Sequence, residues 1–169
     1  MSMPSEEQVV KQPLGAERPF PWRCRHCREL AVVPTRVDYQ DEVRYDGQLV
    51  SFLARDIEIP ICQNCGEKVF TEVVDDQLTA ALRQHLGLLT PEQIREGIER
   101  LGLSQKEVAD RLGVAEDLLW SWANGFTIQL RAMDKYLRVF FRFPEVQAAL
   151  SMPTIDTGLG SIGVSDAIK

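Results

Sequence analysis

Four cysteines stand in two pairs, Cys24-x-x-Cys27 and Cys62-x-x-Cys65, with a hairpin's length of chain between them. A two-residue gap aims two thiolates at one point, and two such knuckles complete a tetrahedral sulfur shell. Zinc favours that shell in a closed, structural site, so one structural Zn²⁺ on Cys24, Cys27, Cys62 and Cys65 is the expectation. Gly66, directly after the second pair, supplies the positive φ that such turns often need. An iron–sulfur cluster uses the same ligands, and spacing alone does not separate it from zinc. Two independent redox pairs fit less well, because neither pair opens a helix after a strand. Reducing conditions in a cytosol disfavour structural disulfides. His26 lies inside the first knuckle, but four cysteines already complete the set, so it is read as a solvated neighbour. A catalytic zinc keeps an open coordination position, and nothing in this pattern suggests one.

No other constellation points to catalysis. His26 and His85 fall in different modules, the serines lack a nearby base motif, and no phosphate-binding glycine loop occurs. The chain is therefore expected not to be an enzyme.

The elements that must position the cysteines follow from periodicity. Val33, Thr35, Val37 and Tyr39 alternate with more polar neighbours, as a half-buried strand does, and Val43 and Tyr45 resume the pattern. Asp46-Gly47 is a hairpin turn pair. The return strand carries Leu49, Phe52 and Leu53, then Ile57, Ile59 and Ile61, and Lys68–Val74 is expected to add a short strand. A unit of this size buries little apolar surface, so the metal supplies much of its folding energy. A helical segment is predicted from Asp75-Asp76 to Gly87. Thr90-Pro91-Glu92-Gln93 and Ser104-Gln105-Lys106-Glu107 then have the form of helix starts with capping boxes, and Gly102 and Gly113 of helix stops. A third helix carries Val114, Leu118, Leu119 and Trp122; a fourth begins near Arg131; a fifth opens at Pro144-Glu145. The fold class expected is α+β: a small zinc-pinned β-hairpin module, then an all-α five-helix domain. The division is a flexible lead at 1–20, a zinc-binding β module at 21–74, a helical connector at 75–90, a helical domain at 91–150 and a flexible tail at 151–169.

With 169 residues, 19 Lys and Arg, 25 Asp and Glu, and a net charge of −6, the chain does not suit a protein that coats nucleic acid by neutralising phosphates. A 44% hydrophobic content is enough for a core. No apolar run is long enough to cross a membrane, the N-terminus lacks a signal-peptide layout, and the expected location is the cytoplasm. Residues 1–90 hold ten basic and fourteen acidic residues, whereas 91–150 hold eight and nine, so most of the acidity lies in the zinc half.

Leu103-Ser104-Gln105-Lys106-Glu107-Val108-Ala109-Asp110-Arg111-Leu112-Gly113-Val114 carries a more specific message. A small Ala109 lets two helices cross closely, Gly113 makes the turn, and Val114 enters the shared core. That order matches a helix-turn-helix, whose second helix enters the DNA major groove. The stretch over 91–150 resembles the Cro/C1-type repressor domain. Joined to a preceding CxxC–hairpin–CxxC module, residues 22–150 resemble the MqsA-type antitoxin family. The resemblance implies that the zinc module binds a small, mRNA-cleaving toxin, for which a basic protein suits the acidic zinc half. It also implies that the helical domain forms a homodimer and represses its own operon at a palindromic operator.

The candidate DNA contacts are Gln105 and Lys106 at a helix N-terminus, Asp117, Trp120, Ser121 and Asn124 on the outward face of the recognition helix, and Arg131 beyond it. Arg131, Lys135, Arg138 and Arg142 cluster where phosphates would lie. The chain departs from the family on the recognition helix, with Asp117 in place of an Asn and Ser121 in place of an Arg. The family's residue types read base edges by bidentate hydrogen bonds, each giving about 1–3 kcal/mol of discrimination. Asp117 accepts but cannot donate, Ser121 reaches less far, and Trp120 sets a large apolar group on the face meant for DNA. The alternative is a protein-interaction module that has lost base reading, docking through Leu118 and Trp120 within an acidic rim of Glu116 and Asp117.

Overall fold

The structure, a computed structural model, describes residues 19–151. The lead and tail expected to be flexible fall almost wholly outside the described residues. The architecture is α+β. Its strands are β1 (Trp22–Arg23), β2 (Leu30–Tyr45) and β3 (Gln48–Cys62). They are followed by α1 (Glu72–Leu86), α2 (Pro91–Leu101), α3 (Gln105–Leu112), α4 (Glu116–Ala123), α5 (Arg131–Arg142) and α6 (Pro144–Ser151). The strands form one sheet in the order β1-β2-β3, and β1 pairs antiparallel to β2 through Trp22↔Val32 and Arg23↔Leu30. Among the described residues no helix is long and apolar enough to cross a membrane.

Two compact units divide the described chain. One takes the residues up to Gln40 together with Leu53–Leu78; the other takes Asp41–Phe52 and the residues from Thr79 onward.

In the first unit, Cys24, Val32 and Cys62 form the buried cluster, with Trp22, Ala31 and Val69 packed against it. Along the part of β3 in this unit, burial falls on Ala54, then on Ile57 and Ile59. The parity changes across Asp56, which has φ +50° and whose N–H donates to Asp38 Oδ1 at 2.9 Å. An extra residue in one strand shifts every later side chain to the other face. The strand expected over Lys68–Val74 is reduced to a single bridge, Ile61↔Lys68. Its second half starts α1 instead, three residues before the expected Asp75. Thr71 is the reason: its Oγ1 accepts from Val74 N–H at 3.4 Å and its carbonyl from Asp75 N–H at 2.9 Å. A side-chain oxygen that satisfies a first-turn amide outweighs the modest strand preference of Val73 and Val74.

In the second unit, Asp46 (φ +50°) and Gly47 (φ +77°) form the tight turn between β2 and β3, both in the left-handed region that a mirror-type hairpin turn requires. The main core joins Leu89, Ile94, Ile98, Val108, Ala109, Leu112, Leu119, Trp122, Ala123, Leu137 and Phe140. At Gly97 the helices α2 and α5 come so close that a Cβ would lie 2.7 Å from the Phe141 ring. A polar network runs beside this core. Asp134, 4% exposed, accepts from Leu89 N–H at 2.6 Å, from Gln129 Nε2 at 3.1 Å and from Arg138 Nε at 2.7 Å. The Tyr45 hydroxyl donates to the Gln129 carbonyl at 3.0 Å, which fastens the hairpin turn to the helices of the same unit. Burial pushes the Tyr45 phenol above its ordinary value, so it stays a donor.

Candidate metal centre

Each knuckle is built by the same backbone pattern. Cys24 N–H donates to Glu29 O at 2.8 Å, and Arg28 N–H returns to Cys24 O at 3.0 Å. Cys62 N–H donates to Glu67 O at 2.9 Å, and Gly66 N–H returns to Cys62 O at 2.8 Å. The fourth residue after the first cysteine must therefore turn left-handed in both. Gly66 does so at φ +76°, and Arg28 does so at φ +66°. The glycine was legible in sequence; its arginine counterpart was not, because nothing in an Arg codon position signals a left-handed backbone. Arg23 Nη1 donates to Arg28 O at 2.7 Å, closing the first knuckle with a side-chain contact.

The two turns bring all four sulfurs within 4.8 Å of one another, and none is in a disulfide. The Sγ–Sγ distance is 3.6 Å both for Cys24 and Cys65 and for Cys27 and Cys62, so each short edge joins one knuckle to the other. A four-coordinate ion with metal–sulfur bonds of about 2.3 Å needs sulfurs roughly 3.8 Å apart. The donor set therefore fits a tetrahedral, thiophilic metal ion. Cys24 and Cys62 are buried, while Cys27 is half-buried and Cys65 exposed, so the site has a closed inner side and an outer side near solvent. Hydrogen bonds from the Asn64 side chain and the Glu29 backbone bring the pKa of Cys27 down to about 6. The Glu67 backbone also pulls Cys65 down, but burial and its three thiol neighbours carry it up to about 12. A bound cation would favour the thiolate form of each sulfur. His26 is exposed on the knuckle surface and is not part of the sulfur cluster.

The residues expected to contact DNA all lie on the helical unit. Ser104 caps α3 in a reciprocal box with Glu107, Gly113 ends it at φ +68°, and α4 begins at Glu116. Leu119 and Trp122 are buried, which turns Glu116, Asp117, Trp120 and Asn124 to solvent. The polar groups on that face are engaged nearby. Asp117 Oδ1 accepts from Leu118 N–H at 3.1 Å, Ser121 Oγ lies 2.8 Å from Thr127 Oγ1, and Asn124 Nδ2 donates to Trp120 O at 2.8 Å. Lys106 pairs with Asp110 at 2.8 Å across one helical turn. Of the basic cluster on α5, Arg131, Lys135, Arg138 and Arg142 are all exposed, and Arg138 binds Asp134 and Gly87 O. Gln105, Glu116, Asp117 and Trp120 line one shallow concavity of about 430 Å³. Phe126, which the sequence reading did not single out, stacks on Trp120 with ring centroids 5.1 Å apart. An aromatic just after Asn124-Gly125 was its only sequence signal.

No protein-family model matches this chain, and no curated protein matches it.

Proposed function

We propose that the chain is a zinc-containing DNA-binding regulator of the MqsA type, an antitoxin that also represses its own operon from the cytoplasm. One structural Zn²⁺ on Cys24, Cys27, Cys62 and Cys65 pins the β unit, which holds a small basic toxin. The helical unit acts as a Cro/C1-type helix-turn-helix, dimerises and sits on a palindromic operator. The observation that carries this reading is the α3–Gly113–α4 turn, with Ala109, Leu119 and Trp122 buried in one core, in a chain that also holds a four-sulfur cluster of metal-binding geometry. Phosphates would be held by the N-terminus of α3 at Gln105 and by the exposed Arg131 and Lys135 of α5. Nothing in the reading requires a catalytic group.

A gel shift with the chain's own upstream DNA tests it. Binding at low salt, falling on a log–log slope set by the few phosphate contacts, is the expected outcome. Absence of a complex at low salt removes the regulatory half. Copurification of a short basic neighbouring gene product supports the toxin half.

A second reading has its own observation. On α4 the groups of Asp117, Ser121 and Asn124 are held by local hydrogen bonds, while Leu118, Trp120 and Phe126 face solvent. A recognition helix whose polar groups are already satisfied suits a protein-interaction scaffold better than a base reader.

A further inference from the structure

The outward face of α4, with the turn after it, sets an aromatic shelf beside two acidic side chains. Trp120 and Phe126 stack with their rings 15° apart, and they remain 48% and 68% exposed. Trp120 also lines the concavity that it shares with Gln105, Glu116 and Asp117. Neither Glu116 nor Asp117 is in a described ion pair, although the Lys106 ammonium, paired with Asp110, also feels the Glu116 carboxylate. A position in the first helical turn accounts for two acidic residues by itself. It does not account for an indole and a phenyl ring left stacked in solvent beside them.

An indole face next to two carboxylates, within one concavity, is the chemistry that takes up an organic cation. The ring quadrupole attracts an ammonium or guanidinium group, and the carboxylates add charge and acceptors. The same carboxylates repel phosphate, which sets a protein partner ahead of nucleic acid on this face. We propose that the α4 concavity receives an Arg or Lys side chain from a cationic, amphipathic segment of a protein partner. The segment's apolar side covers the Trp120–Phe126 shelf. This proposal rests on the protein-interaction reading of the helical unit and adds the chemistry of the occupant.

The test uses the full, metal-loaded chain with three labelled probes: a short amphipathic Lys/Leu peptide, the same peptide with Glu for Lys, and a short duplex DNA, each followed by fluorescence anisotropy. The Lys/Leu peptide should bind and the Glu/Leu peptide should not. Trp120→Ala should weaken that binding roughly tenfold, with unchanged melting of the helical unit as the folding control. The paired change Glu116→Gln and Asp117→Asn, which leaves the aromatic shelf in place, should weaken it about threefold and flatten its salt dependence. If both peptides bind alike and both are weakened by Trp120→Ala, the interaction face stands and the cation specificity is overturned. If neither peptide binds, or if binding of the Lys/Leu peptide ignores all three substitutions, the proposal and the interaction reading fall together. Tight duplex binding weakened by Trp120→Ala likewise overturns both and returns the face to DNA.

Discussion

The two units of this chain reach order by different means. The sulfur-bearing unit has a buried cluster of Cys24, Val32 and Cys62, two of which are metal-ligand candidates, and further buried side chains at Ala54, Ile57, Ile59 and Val74; its two turns are held by paired backbone hydrogen bonds. The helical unit joins eleven buried residues in one core and closes its ends with capping boxes at Thr90 and Ser104. Around the sulfurs the apolar cluster is small, so an ion bound there would add much of the folding energy, whereas the helical core holds by apolar burial. The comparison teaches where to press each unit: on the ion that the sulfurs of one could hold, and on the packing of the other.

Metal removal should have the largest effect. Binding free energy at such a site is folding free energy, on the order of 10 kcal/mol or more for a four-ligand zinc site. Chelation should unfold the segment from about Arg23 to Phe70 and leave the helical signal in circular dichroism, with amide spectra resolving the two. An unchanged spectrum after verified metal loss would break the contrast. Next comes Phe140→Ala, at 0% exposure in the helical core, which should cost about 3–5 kcal/mol. The helical melting transition should drop while metal stoichiometry, measured by a chromophoric chelator, stays the same.

Smaller effects sharpen the comparison within the first unit. Gly66→Ala forces a side chain into φ +76° with open space around it, so only backbone strain acts, and it should cost about 1 kcal/mol. Arg28→Gly relieves the matching strain at φ +66°, offset in part by the entropy of a glycine in the unfolded chain. The two substitutions should shift the chelator concentration needed for metal release in opposite directions. The smallest effect concerns acid. Hydrogen bonds from the Ser104 side chain and backbone hold the Glu107 carboxyl below its ordinary 4.5. A carboxyl whose folded pKa is depressed adds stability that is fully present above the unfolded value and is lost as pH falls through the folded one. Helical melting should therefore gain an acid dependence below about pH 4.5 that Glu107→Gln reduces. The metal unit should fail at higher pH than this, because thiols must lose protons to hold an ion, and acid returns them.

Much of the site was legible in the sequence because its rules are local. The CxxC spacing, the Asp46-Gly47 turn, the Thr90 and Ser104 boxes and the stops at Gly102 and Gly113 each depend on a few consecutive residues. Where two local rules competed, the sequence reading misjudged the outcome. Val73 and Val74 look like strand, and only the Thr71 cap shows that they begin α1. The engagement of Ser121 and Asn124 was also hidden, since their partners depend on how α4 ends rather than on residue type.

By itself, the sequence determined which residues can bind a metal, where the hairpin turns and where four of the helices start, for capping, spacing and φ preference act within one turn of chain. Only the tertiary structure decided that Arg28 shares the left-handed turn of Gly66. It alone placed Asp134 at the centre of a buried network with Leu89, Gln129 and Arg138, and put Tyr45 of the hairpin on Gln129 of the helices. It also set Trp120 against Phe126, and in one concavity with Glu116 and Asp117. Each of these joins residues by burial and hydrogen-bond satisfaction across space, and burial is a property of the packed chain that no local pattern of residue types encodes.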